Sequence, residues 1–302
     1  MSEEWDGSRR IIWAQDLDDM EVIGTHMFSV GVPVDADPEF KTYVFAAGVT
    51  HSMGNKSIDY QLKRNYANWI HRHSPEVLLA KGSLNALLRN IRDLVNTRCA
   101  AISDLSLGPS PSDALSMASN ALIRLESTFR AAAQLVRLQF PFEAEAVVRL
   151  GFEQIGWAFS ISDLLSVEQV VATKPTSGTT RLKEIFPGAG RIYGRLSNLA
   201  HMALHTQARV MAADDDDQLR IEIKSPEAIR ESALLLIILL DAFLAVTDKC
   251  FGPVGLEYST LDTSDATLRS DRPAVRLLRT YESLLATDAS KIFDQWWNPR
   301  AI

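Results

Sequence analysis

A chain of 302 residues, 46% hydrophobic and 23% charged, holds enough apolar material for a packed core. It lacks the low-hydrophobicity, high-charge composition of a disordered chain. The formal charge of −7 excludes coating of nucleic acid by global electrostatics, so a polyanion would have to be met by a local basic surface. Cys99 and Cys250 stand in apolar helical surroundings, and both are read as reduced thiols of a cytoplasmic protein.

The N-terminal "MSEEWDGSRR" is acidic and has no apolar h-region, so no secretory signal is expected. "MEVIGTHMFSVGVPV" and "FKTYVFAAGVT" carry β-branched and aromatic residues on either side of the polar "DADPE". That pattern predicts a hairpin or extended arm, which should pack on the helical body or on a second subunit. "YQLKRNYANWIHRHS" reads as a short helix before Pro75, with His71 and His73 on the surface.

From Pro75 the pattern becomes helical. Residues 75–105 repeat apolar positions at Leu84, Leu87, Leu88, Ile91, Leu94, Val95 and Ile102. After "GPSPSD", whose Ser112 or Asp113 can cap, the positions Leu115, Ala118, Leu122, Leu125, Phe129, Ala132 and Val136 predict a second long helix. "FPFEAEAVVRLGFEQIGWAFSISDLL" predicts a third, with Pro141 in its first turn. In it Glu145, Arg149 and Glu153 follow one another at four-residue steps, which makes either a solvated, salt-bridged face or a polar stripe lining a cleft.

"RLKEIF" is a short helix, and "PGAG" breaks the chain before "RIYGRLSNLAHMALHT", residues 191–206, which reads as a helix. "ARVMAADDDDQLRIEIKS" has two alternating runs around four aspartates and predicts a β-hairpin with its tip at 214–217. The acidic tip lacks the spacing of a calcium loop.

Ser225 and Pro226 then open a helix containing "SALLLIILLDAFLAV", residues 232–246. This run is shorter than the about 20 residues of a membrane span, and Asp241 interrupts it. A buried central helix is the reading, with Asp241 facing a partner or the edge of the core. Two short amphipathic helices follow and end in "FDQWWNPRAI", whose tryptophans dock the last helix.

The expectation is therefore a mainly α chain: an antiparallel helical bundle with a small β-hairpin and a mixed N-terminal extension. Its parts are 1–74, the extension with a hairpin; 75–251, the bundle core; and 252–302, a helical appendage. The sequence holds no internal repeat, GxGxxG, Walker loop, GxSxG or CxxC pair, and no cofactor or metal is expected.

The segment 191–206 carries the functional signal. Asn198, His201 and His205 line one helical stripe, with Ser197 beside His201 and Arg195 on a neighbouring edge. Ile192, Leu196, Leu199 and Met202 form the apolar side. Between 181 and 209 the charges of Arg181, Lys183, Arg191, Arg195 and Arg209 against Glu184 leave a net +4 in an otherwise acidic chain, a phosphate-sized footprint.

"RLSNLAH", Arg195 to His201, resembles the arginine, four to six residues, histidine motif of the HEPN superfamily of helical-bundle ribonucleases. "YGRLSNLAH" after a helix with "RLGFE" is similar to bacterial abortive-infection and uncharacterised helical families associated with them. The resemblance covers about residues 112–251. Leu196 directly follows the arginine, where active members usually carry a polar residue, and Asn198 stands three residues after Arg195.

The resemblance implies metal-independent RNA cleavage in bacterial defence or toxicity, by a homodimer whose two motifs face each other across a cleft. His201 would move the proton of a ribose 2′-OH or of the leaving 5′-oxygen. Arg195 would stabilise the phosphate charge, and Asn198 would orient His201. Arg191, Arg149 and His205 would bind substrate, supported by Glu153 and Ser197.

Two other readings stay open. His201 could hydrogen-bond inside the bundle while Arg195 pairs with Glu153 or Glu145, leaving a non-catalytic interaction or sensor protein with a protein partner or regulatory subunit. His201 and His205, one turn apart, could ligate a metal with Glu145 or Glu153, although no HExxH or ExxH pattern accompanies them.

Overall fold

The computed structural model describes residues 20–25, 28–33, 36–53, 57–62, 75–105, 113–138, 140–174, 178–200, 211–213, 219–221, 226–262, 267–285 and 289–297. The chain is mainly helical and divides into two compact units, residues 1–81 and 82–302.

In the first unit β1, Met20–Thr25, pairs antiparallel with β2, Phe28–Pro33, in a register that runs from Met20 opposite Pro33 to Thr25 opposite Phe28. Both strands come from the first apolar segment. The second segment, expected to be extended, is instead helix α1, Pro38–Met53. Asp37 decides this, since its Oδ1 accepts the backbone N–H of Glu39 at 2.7 Å and of Phe40 at 3.2 Å and so caps the first turn. Pro38 occupies the first helical position, where its missing N–H costs nothing. Ala46 and Val49, three residues apart, are buried, as are Ile23 of β1 and Val32 of β2. α1 packs against both strands, so within this unit it is the hairpin's cover.

In the second unit α2, Pro75–Ser103, enters from the first and is followed by α3, Asp113–Arg137, and α4, Pro141–Ile161. Short α5, Val167–Ala172, and α6, Gly178–Arg181, lead through a 3-10 turn at Leu182–Glu184 to α7, Ala189–Ala200. The strands β3, Met211–Ala213, and β4, Leu219–Ile221, pair antiparallel. α8, Pro226–Phe251, α9, Pro273–Thr280, and α10, Ala289–Trp297, complete the chain.

The apolar run of α8 makes it the centre of the core. Residues 231–248 are buried at every position, as a helix apolar on all sides requires. α4 lies against α3, α6, α7 and α8. It approaches α6 with bare backbone, because a Cβ on Gly156 would come within 2.6 Å of the carbonyl carbon of Gly178. Among the described residues no helix is long and apolar enough to cross a membrane.

Among the described residues after 251, Leu256, Ala274, Leu277, Leu278, Ile292, Phe293 and Trp296 belong to this core. Trp296 is fully buried, stacks on Phe186 at 4.1 Å and meets Phe152 edge-on at 5.6 Å. Trp297 is left 39% exposed. Trp296 Nε1–H also reaches Asp241 Oδ2 at 3.1 Å.

Asp241 lies inside the core and not at its edge. Arg272 closes on it from the N-terminus of α9, with Nε 2.8 Å from Oδ1 and Nη2 3.1 Å from Oδ2. A second buried carboxylate, Asp248, accepts the backbone N–H groups of Ser259, Thr260 and Leu261 at 2.6–3.1 Å on Oδ2. Arg98 of α2 meets its other oxygen at 3.1 Å, so one acid ties α2, α8 and the loop after it together.

Candidate functional site on helix α7

α7 covers residues 191–200 of the segment 191–206 expected to be helical, the rest lying outside the described residues, and it is fixed from below. Ile192 and Leu196, one turn apart, are buried in the core with Ala189. Gly188 docks the start of the helix, its N–H donating to the Trp296 carbonyl at 3.0 Å. The opposite side carries Arg191, Arg195 and Asn198 at exposed positions, with Ser197 half-buried between them and the core. A Cβ on Gly194 would meet nothing within 4 Å, so the backbone between the two arginines faces open space. Lys183 lies against Gly190 at the start of this edge.

Arg195 pairs with Glu231 of α8, through Nη2 and Oε1, and neither Glu153 nor Glu145 is the carboxylate that meets it. Glu231 is 10% exposed while Arg195 is 44% exposed, so a nearly buried acid anchors a guanidinium that still reaches solvent.

The expected stripe on α4 is one helical face that is salt-bridged and partly exposed at Arg149 and Glu153. Arg149 Nε lies 3.2 Å from Glu153 Oε1, the one-turn pair that the spacing predicts. Tyr193 of α7 completes it, donating its hydroxyl to Glu153 Oε1 at 2.6 Å beneath the Arg149 guanidinium, which sits 5.6 Å from the ring centre. Burial, and then the bond to Glu153, raise the Tyr193 phenol above its ordinary value, so it stays protonated and donates. Glu145 is fully buried on the α8 side, with Ser232 Oγ 3.2 Å from its Oε1. The structure thus brings Arg149 and Glu153 to Tyr193, Arg195 to Glu231, and Glu145 to Ser232.

The basic footprint is smaller than the sequence count. Arg181 is taken up by α4 and its C-terminal turn: it ion-pairs with Asp163, donates to the Phe159 carbonyl at 2.7 Å and lies 4.4 Å over the Phe159 ring. Lys183, Arg191 and Arg195 remain along α7. Arg209, His201 and His205 lie outside the described residues, as do His71, His73 and the acidic tip 214–217. Among the described residues no group of three or more His, Cys, Asp or Glu could hold a metal ion.

Sequence reasoning missed Glu231 and Tyr193. Glu231 had a signal, since a carboxylate immediately before a fifteen-residue apolar run must find a cation where the helix enters the core. Tyr193 stands between the two arginines, and its orientation toward α4 follows only from the packing of two helices. No family model, curated protein or solved structure matches the chain.

Proposed function

We propose that the chain acts on RNA along the exposed edge of α7, as a metal-independent ribonuclease of the HEPN-like kind. The observation that carries this reading is that Arg195 is held by Glu231 and yet is 44% exposed, next to Arg191 and an open backbone at Gly194. A cation oriented by the fold and open to solvent is what recognition of a phosphodiester needs.

In this reading Arg195 stabilises charge on the phosphate, and His201 transfers the proton between the 2′-OH and the leaving oxygen. Asn198 orients His201; Arg191, Arg149 and His205 bind substrate; Ser197 and Glu153 support them. The helices form an antiparallel bundle carrying the small hairpin β3–β4. Two copies place their α7 edges across one cleft, in a cytoplasmic defence or toxicity role.

The pairing of both inner arginines, Arg195 with Glu231 and Arg149 with Glu153, favours a second reading. There the same edge binds a protein partner and no bond is cleaved.

Cleavage of single-stranded RNA in EDTA separates the two. Under the first reading His201→Ala and Arg195→Ala each lose about 10²- to 10⁴-fold in rate. Wild-type protein that leaves RNA intact overturns it in favour of the interaction protein. Cleavage that EDTA abolishes overturns it in favour of a metal site.

A further inference from the structure

Three buried carboxylates of the second unit are met by arginines from other parts of the chain: Asp241 by Arg272, Asp248 by Arg98 and Glu231 by Arg195. In the first two the cation is sealed with the acid, at 0% and 8% side-chain exposure, as an ion pair that only holds the fold would be. In the third the acid is sealed and the cation is not, at 10% against 44%. Burial of Glu231 alone needs a counter-charge; it does not need that counter-charge on the surface.

We propose that Glu231 is the positioning residue of the α7 site, resting on the RNA reading above. It grips Arg195 by one nitrogen, fixes the direction of the guanidinium and lowers its effective positive charge, so that a phosphate is oriented and not merely attracted. Neither Arg191 nor Lys183 has this device, and both supply attraction alone.

The consequence is a trade between affinity and turnover. With its charge partly cancelled, Arg195 contributes little to counterion release on binding. Glu231→Gln keeps an acceptor of the same length but removes the opposing charge. The site then gains close to one full phosphate contact and loses the strength of the grip. Glu231→Asp keeps the charge but shortens the reach, so attraction stays low and direction is lost.

The experiment is binding and cleavage of a fluorescein-labelled single-stranded oligoribonucleotide by the full chain. The salt dependence of Kd is taken for wild type, Glu231→Gln, Glu231→Asp and Arg195→Ala, with thermal melts as the check of folding. Each phosphate neutralised adds about 0.7 to the slope of log K against log salt for a single strand. Glu231→Gln should steepen the slope by up to about 0.7 and bind more tightly at low salt. Glu231→Asp should leave the slope unchanged. Both variants should lose about tenfold in kcat, an order-of-magnitude loss when a transition-state contact is misdirected.

RNA binding with equal slopes in wild type and Glu231→Gln, or undiminished kcat in both variants, overturns the positioning role and leaves the RNA reading standing. RNA bound by none of the four proteins overturns both. If Glu231→Gln does not fold, Glu231→Asp decides on turnover, and full kcat in that variant refutes the role.

Discussion

The Asp241–Arg272 pair offers the sharpest test of how this core is built. Both side chains are essentially solvent-free, at 1% and 0% exposure, and they meet through Arg272 Nε and Nη2 at 2.8–3.1 Å. Removing one partner leaves the other as an uncompensated buried charge, which costs about 3–5 kcal/mol. Arg272→Met and Asp241→Leu should therefore each lower stability by that amount. For a unit the size of residues 82–302 this is about 6–20 °C in Tm, at roughly 2–4 °C per kcal/mol.

The double variant strands no ion. It leaves the Trp296 Nε1–H without its acceptor, a loss of about 1–3 kcal/mol, and replaces the pair with apolar groups beside the Phe293 ring, whose centre lies 5.5 Å from the Arg272 guanidinium. Urea unfolding followed by circular dichroism gives all three values and closes the double-mutant cycle. The double variant should be more stable than either single one. Additivity of the two single losses to within about 0.5 kcal/mol would refute the argument that the charges, and not the shapes, set the cost.

Two further outcomes follow from close approaches and burial. Gly194→Ala should raise stability by about 0.5–1 kcal/mol, because the added methyl meets nothing in a helix interior, whereas Gly156→Ala should lower it by about 1–3 kcal/mol because rigid backbone at Gly178 stands in the way; melting curves giving the same sign for both would contradict this packing. Burial pushes the thiols of Cys99 and Cys250 up to about 12, against an ordinary 9.0, so at pH 8 the thiolate population is lower by about a thousandfold and a disulfide reagent should label the folded chain slowly and the urea-unfolded chain at once; fast labelling of the folded chain would show that these thiols are accessible.

The sequence made the helices of the second unit readable because each carries its own evidence. Pro141 marks the start of α4, the apolar stripe of α3 repeats at helical spacing, and residues 232–246 are apolar on every side. The N-terminal unit misled for a physical reason. Tyr43, Val44 and Phe45 have strand-like chemistry, but the cap at Asp37 and the burial of Ala46 and Val49 at a three-residue spacing override it. The same "DADPE" that looks like a turn between two strands is the entry to a helix.

The candidate site divides along the same line between local and distant contacts. Arg149 with Glu153 was legible because the pair is one turn apart on one helix, where spacing alone brings the charges together. Arg195 with Glu231 was not, because 36 residues and two helix directions separate them. What sequence could say is that Glu231, at the threshold of an apolar helix, required a cation, and that α7 had two arginines on its polar side. Only the tertiary arrangement that brings Glu231 to Arg195 selects it over Arg191. That choice leaves the Arg195 guanidinium both gripped by a nearly buried acid and open to solvent, and it is why Arg195 can be tested apart from the bulk positive charge of the edge. A substrate drawn by charge alone would be weakened more by Arg191→Ala, whose charge nothing cancels, than by Arg195→Ala. A substrate oriented by Glu231 through Arg195 would instead lose more turnover in Arg195→Ala.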